Sequence, residues 1–307
     1  MLLRAIAIGL AAAVLMHVVL YRRRMTAQRD ADHVRLPTGP DGIIIGAEPI
    51  ALAGSASHAV LLIHGFGDTT QSVRGLAEHL PTVHGWTVHA PLLPGHGRTL
   101  ADFDASSSAQ WRAHVRESYA ALKATHATVA LVGLSMGGAL VTLEAAKDPL
   151  LPALVLLAPY LTPPARAERL APLANLLNLV TPYLAGGDRD RSIFDPAARA
   201  RALGYGGSPP KRVRDLVTVA HDARFAAGEV LAPTLLMHSR TDYRIPLPLA
   251  TTHAALYGKA AAHGQEWLDG CGHVITVDFQ REHVWAATAE WLARYAGSPA
   301  ASATTVS

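Results

Sequence analysis

The chain has 307 residues, half of them hydrophobic and 17% charged, enough for one or two domains with a sizeable core. Its 27 Lys and Arg against 24 Asp and Glu leave a net charge of only +3, and no basic run beyond Arg22 to Arg24 is long enough to track phosphates, which argues against a nucleic-acid partner. A single cysteine, Cys271, rules out an intramolecular disulfide framework and a cysteine-based zinc site, and the 16 histidines contain no HExxH pattern, so neither a metal nor another cofactor is expected.

The first predicted element is an apolar helix. Ala5 to Tyr21, "AIAIGLAAAVLMHVVLY", is broken only by His17. As a helix it rises about 26 Å, the short limit for crossing a bilayer. Arg4 precedes it and three arginines follow, where a secretory signal would carry a small-x-small cleavage site. Residues 1–24 are therefore expected to form a membrane anchor. The stronger positive flank on the C-terminal side favours a cytoplasmic position for the rest of the chain. A cleaved signal peptide on an exported protein is the competing expectation. Residues 25–40 read as a polar linker, 41–296 as the folded domain, and the small, polar stretch 297–307 as a disordered tail.

Within 41–296, strand and helix signals alternate. The runs "AVLLIHGF" (Ala59 to Phe66), "WTVHAPLL" (Trp86 to Leu93), "TVALVGL" (Thr128 to Leu134), "ALVLLAP" (Ala153 to Pro159) and "PTLLMHSR" (Pro233 to Arg240) suit strands buried on both faces of a parallel sheet. Helical periodicity runs from Thr70 to Leu80, Ser107 to Lys123, Met136 to Ala146, Leu247 to Tyr257 and Phe279 to Tyr295. This alternation predicts an α/β fold with a mostly parallel central sheet and flanking helices. Ligands of such sheets bind at the carboxyl ends of the strands.

Ser135 stands at such an end. It follows the strand closing at Leu134 and precedes a helix opening at Met136, within Gly133-Leu134-Ser135-Met136-Gly137. A G-x-S-x-G pattern needs this strand–turn–helix context, because side chains at the two glycine positions would crowd the sharp turn. A serine nucleophile also needs a base, and the base an orienting acid. Asp242, in "HSRTDYRIP", and His273, in "DGCGHVITVD", both follow strand-like runs and should face the same rim in the order Ser, Asp, His. Asp222, Asp269 and Asp278 are rival acids, but none follows a central strand. The loop His64-Gly65-Phe66-Gly67 is placed to supply a second oxyanion donor. The N–H groups of Phe66 and Met136 would then flank a developing oxyanion.

These pieces resemble an α/β-hydrolase of the bacterial carboxylesterase and monoacylglycerol lipase group. The resemblance is carried by "LLIHGFGD", "PLLPGHG", "VGLSMGGAL", "APTLLMHSRTDYRIP" and "GCGHVITVD", and spans roughly Ala59 to Tyr295. It implies Ser135 as nucleophile, Asp242 as acid, His273 as base, and Phe66 and Met136 as oxyanion donors. The familiar small esterases of this group lack an apolar leader. The segment of about 160–227 does not read as sheet; Leu170, Leu173, Leu176, Leu177, Val180 and Leu184 fall at helical spacing. In the family such an insert caps the active site. A leucine-lined cap would bind an acyl chain, with Leu176, Leu177 and Leu184 as substrate-binding residues. The expected activity is hydrolysis of short- to medium-chain carboxylic esters, including monoacylglycerols, without a cofactor. An acyltransferase using the same triad, and a catalytically silent binding protein on a hydrolase scaffold, are the alternatives.

Overall fold

A computed structural model of the chain describes residues 2–185 and 189–297. Apart from Gly297, the expected disordered tail lies outside the described residues. The chain opens on helix α1 (Leu2–Arg35). Its first half projects from the rest of the molecule: Ile6, Ile8, Leu10, Val14, Leu15 and Leu20 are each at least half exposed. This helix is long and apolar enough to cross a membrane, with a mean hydropathy of 1.6 over its most apolar stretch.

The expected linker is different in the structure. The helix does not stop at Arg24 but continues to Arg35, and there it turns amphipathic, burying Met25 and Asp32. The backbone keeps its helical bonds because one face of this stretch finds a packing partner.

The sheet begins with β1 (Ile50–Leu52) and β2 (His58–Ile63). Helix α2 (Arg74–His84) leads to β3 (Thr87–Ala90). Helices α3 (Leu100–Ala105) and α4 (Ser108–Thr125) precede β4 (Thr128–Leu134), and α5 (Met136–Ala145) precedes β5 (Leu154–Leu157). An insert follows: α6 (Ala165–Leu170), α7 (Ala174–Val180), the hairpin strand β6 (Leu184–Ala185), α8 (Arg189–Ser192), α9 (Pro196–Arg201) and β7 (Gly207–Ser208), which pairs antiparallel with β6. Helix α10 (Pro210–Ala226) returns the chain to β8 (Thr234–Ser239). The short α11 (Leu247–Ala250), β9 (His263–Leu268) and α12 (Arg281–Ala296) complete it.

Strands order as β1-β3-β2-β4-β5-β8-β9. All neighbours run parallel except the edge pair β1 and β3. Alternate residues of one strand feed opposite faces, as the pleat requires. On β2, Ala59, Leu61 and Ile63 join the core under α4, α5 and α10, whereas Val60 and Leu62 join the core under α2 and α12. This is the three-layer α/β architecture expected from the alternation, with β4 in the middle of the sheet, and it is the fold that the resemblance implies.

Two expectations shift. The stretch 247–257 is not one helix: after α11, Thr251 and Thr252 turn their hydroxyls onto the Pro248 and Leu249 carbonyls, and a 3-10 turn (Ala254–Tyr257) follows. Helix α10, read as part of the insert, buries Val219, Ala220 and Ala223 in the same core as Ala139 and Leu140 of α5, so it belongs to the layers around the sheet.

Candidate active site

Ser135 joins β4 to α5 with φ 54° and ψ −116°, a left-handed conformation that a residue with a side chain adopts only under local strain. The glycines around it explain how the turn closes. A Cβ at Gly133 would stand 2.4 Å from the Gly137 carbonyl, and one at Gly137 only 2.2 Å from the Ile63 carbonyl oxygen. Neither position tolerates a side chain. The elbow is held from below as well: the Ser135 N–H donates to Leu157 O at 2.9 Å, and Ser135 O accepts from the Tyr160 N–H at 3.0 Å.

Three side chains meet at this rim. His273 Nε2 lies 2.8 Å from Ser135 Oγ, and His273 Nδ1 lies 2.6 Å from Asp242 Oδ2. A carboxylate only accepts, so Nδ1 carries the proton and Nε2 is the acceptor for the serine hydroxyl. All three residues are buried. The second oxygen of Asp242 accepts from the backbone N–H groups of Arg244 (2.7 Å) and Ile245 (3.1 Å). Burial pushes the Asp242 carboxyl up, but His273 and these N–H groups outweigh it and hold it below the usual carboxylate range. Of the rival acids, Asp222 pairs with Arg112 on the surface and Asp269 with Arg240; Asp278 is buried elsewhere in this region, as described below.

The loop after β2 closes against the serine. A Cβ at Gly65 would sit 3.4 Å from Ser135 Cβ. His64 fixes this loop: its Nδ1 donates to Gly65 O (2.9 Å) and its Nε2 accepts from the Leu93 N–H (3.1 Å). With both nitrogens committed to the neutral ring, burial lowers its pKa to about 4. Phe66 packs edge-on against Phe103 and Trp111. Met136 is the first residue of α5, where a backbone N–H has no acceptor within the helix.

The insert places the expected acyl-binding leucines unevenly. Leu176 is exposed (60%), and so are its neighbours Leu173 (47%) and Leu179 (77%). Leu176 thus faces outward rather than into an enclosed pocket. Leu177 is half-buried on α7, and Leu184, also half-buried, lies in β6 rather than on a helix.

Four residues around the site were not singled out in these roles by sequence reasoning. Asp278 is fully buried and accepts from the N–H groups of Gly272, Phe194, Asp195 and Phe279 at 2.7–2.9 Å. Arg244 donates from Nε to Ser192 Oγ at 3.1 Å. Ser192 O in turn accepts from the Val274 N–H at 3.0 Å. Asp68, beyond the Gly65–Gly67 loop, has its carboxyl pushed up by burial and drawn back by the Thr69 N–H and by Arg244 and His273 nearby. Asp68 and Asp278 stand at the acidic ends of "HGFGD" and "GCGHVITVD", and Arg244 lies in "HSRTDYRIP", whereas Ser192 falls in none of these motifs.

Among known proteins, the model of a family described as serine aminopeptidase, S33, matches residues 54–280. A thermostable monoacylglycerol lipase of Bacillus sp. (strain H-257) is 28% identical over 83% of this chain and 98% of its own length. A carboxylesterase of Bacillus subtilis (strain 168) is 24% identical over 81% of this chain and 97% of its own. A solved structure from the metagenome-derived lipolytic enzymes LipS and LipT superposes with a TM-score of 0.71 at 27% identity, covering 82% of this chain and 99% of that one.

Proposed function

Since the chain belongs to the S33 family of α/β-hydrolases, we propose that it is a carboxylic ester hydrolase that works through a covalent acyl-enzyme on Ser135. The observation that carries this is the buried hydrogen-bonded sequence Ser135 Oγ, His273 Nε2, His273 Nδ1, Asp242 Oδ2, with the serine on a strained elbow. His273 takes the hydroxyl proton as Oγ attacks the ester carbonyl, and Asp242 holds the imidazole tautomer and stabilises the imidazolium. The N–H groups of Phe66 and Met136 receive the oxyanion. His273 then protonates the leaving alcohol, and water, activated by the same ring, releases the acid.

The two related proteins act as a monoacylglycerol lipase and a carboxylesterase, and from them we take the substrate class: simple esters and monoacylglycerols with short- to medium-chain acyl groups. Leu177 and Leu184 are the half-buried apolar candidates for the acyl path. We further propose that α1 anchors the enzyme in a membrane through residues 5–21, with the hydrolase domain on the cytoplasmic side.

The family's description raises amide hydrolysis as the rival activity. A panel of p-nitrophenyl acetate, butyrate and octanoate, a medium-chain monoacylglycerol, a triacylglycerol and leucine p-nitroanilide separates the two. Turnover of the butyrate, octanoate and monoacylglycerol with little on the triacylglycerol and anilide is expected. The anilide as best substrate would replace an esterase with an aminopeptidase.

A further inference from the structure

The second half of α1 is joined to the insert by a continuous set of polar contacts. Tyr21 Oη accepts from the Ala185 N–H in β6 at 3.1 Å. Asp32, only 4% exposed, accepts from the Gly206 N–H at 2.6 Å and from Arg35 Nη2 at 3.2 Å. Arg35 then donates to Ala202 O (2.8 Å) and Gly204 O (2.7 Å). Leu36 is buried with Ile44 and Ala47 against Leu203 and Tyr205. The turn 202–206, between α9 and β7, is thus gripped from the α1 side.

Its other side touches the loop at the serine. The Tyr205 N–H donates to Gly67 O at 3.0 Å. The Tyr205 hydroxyl accepts from the Arg98 N–H (3.0 Å) and donates to Arg98 O (2.8 Å). Its ring stacks on Phe103, 5.5 Å between centroids, and Phe103 packs against Phe66. The loop it holds contains Gly65 and Gly67, the latter at φ +64°, so its far end, beyond the part held by His64 and Phe66, has no side chain at Gly67 to fix its course. Asp32 and Arg35 both lie on α1 and hold the turn through its backbone groups, and burying a carboxylate to do so costs more desolvation than apolar contacts would. Unlike apolar contacts, these bonds are directional, each to a particular N–H or carbonyl of the turn.

We propose that Asp32, Arg35 and Tyr205 are positioning residues for the hydrolase site: through the turn 202–206, α1 holds the Gly65–Gly67 loop, and with it the Phe66 N–H, against Ser135. The proposal rests on the Ser135 reaction set out above. It makes α1 a working part of the enzyme, because the helix that carries the apolar segment also sets the oxyanion loop.

The test uses the full chain in detergent and four variants: Asp32→Ala, Arg35→Ala, Tyr205→Phe, and Arg23→Ala on the exposed part of the same helix. Turnover of p-nitrophenyl butyrate is measured per active site, with sites counted by end-point fluorophosphonate labelling. A misplaced oxyanion donor lowers kcat and the labelling rate together, by about 10–100-fold, while KM stays nearly constant. That result is expected for Asp32→Ala and Arg35→Ala, a smaller loss for Tyr205→Phe, and none for Arg23→Ala. Unchanged kcat per labelled site in Asp32→Ala and Arg35→Ala overturns the proposal. So does a loss confined to the number of sites, which would mark a purely structural role. Persistent activity in Ser135→Ala would instead remove the hydrolase reading itself.

Discussion

The Gly272 N–H donates to Asp278 Oδ2 at 2.7 Å, one residue before His273. The same carboxylate accepts from Phe194 and Asp195, where the insert returns toward α9. A Cβ at Gly272 would stand 2.4 Å from Ser192 O, so the histidine loop and the returning insert are pressed together backbone to backbone. Asp278 therefore ties the backbone next to His273 to the insert.

Asp278→Asn is the sharp test of that arrangement. The amide keeps the shape but turns an N–H₂ toward N–H donors, leaving buried groups unsatisfied. A stability loss on the order of 3 kcal/mol is expected, together with a fall in kcat per labelled site of about 10-fold or more. Urea unfolding and active-site titration measure the two separately. A variant of normal stability and turnover would mean that the histidine loop holds its course without this carboxylate.

Four buried histidines should contribute to a loss of stability on the acid side. Burial lowers His64 and His253 to about 4, His238 to about 3, and His96 well below its usual range. Each is neutral when folded but takes up a proton near pH 6.5 when unfolded. The unfolded chain thus binds more protons between about pH 6.5 and pH 4, and stability must rise with pH there. The contribution is complete above 6.5 and is lost as pH falls through the folded values. Each group adds up to about 1.4 kcal/mol per pH unit to the slope. Urea midpoints at pH 7, 6 and 5 should fall in that order; a flat profile would show that these rings are solvated.

Residues 5–21 should govern where the enzyme is found. Full-length protein should sediment with membranes and resist extraction by high salt, yet dissolve in detergent. Intact-mass analysis should find the arginines at 22–24 still attached to the apolar segment. A mature N-terminus downstream of Arg24 would establish a cleaved signal and an exported enzyme.

The insert makes a contrast between two adjacent leucines. Leu177 is half-buried whereas Leu176 is 60% exposed. Leu177→Asp should raise KM for p-nitrophenyl octanoate several-fold more than for the acetate, because only the longer chain would reach it; each methylene is worth about 1–3 kcal/mol of discrimination. Leu176→Asp should leave both nearly unchanged. Equal effects of the two substitutions would mean that the acyl chain takes another path.

The centre of the sheet and its elbow were legible because their signals are local. "TVALVGLSMGG" puts an apolar strand, a crowded turn and a helix start within one stretch, and Asp242 and His273 each follow a strand whose carboxyl end must reach the same rim. Asp278 could not be read in this way, since its partners are backbone N–H groups of residues far apart in the chain. Asp32 was hidden by its polar neighbourhood, which suits a linker until the insert supplies a surface for one face of the helix. Leu184 misled for a different reason. The leucine spacing continues past Val180, but Pro182 disfavours helix at the residue before it, and the chain leaves α7 at Thr181 with extended φ and ψ. The notch between an apolar pattern and a backbone breaker was present in the sequence, and the breaker decides.

The most direct measurement is the site of covalent modification. The purified full-length enzyme is reacted with a fluorophosphonate, digested and mapped by mass spectrometry, beside Ser135→Ala. One adduct per chain, on Ser135, is expected, with no adduct and a loss of turnover of several orders of magnitude in the variant. An adduct on another residue, or a Ser135→Ala enzyme that still hydrolyses p-nitrophenyl butyrate at near the normal rate, would contradict acyl transfer through Ser135.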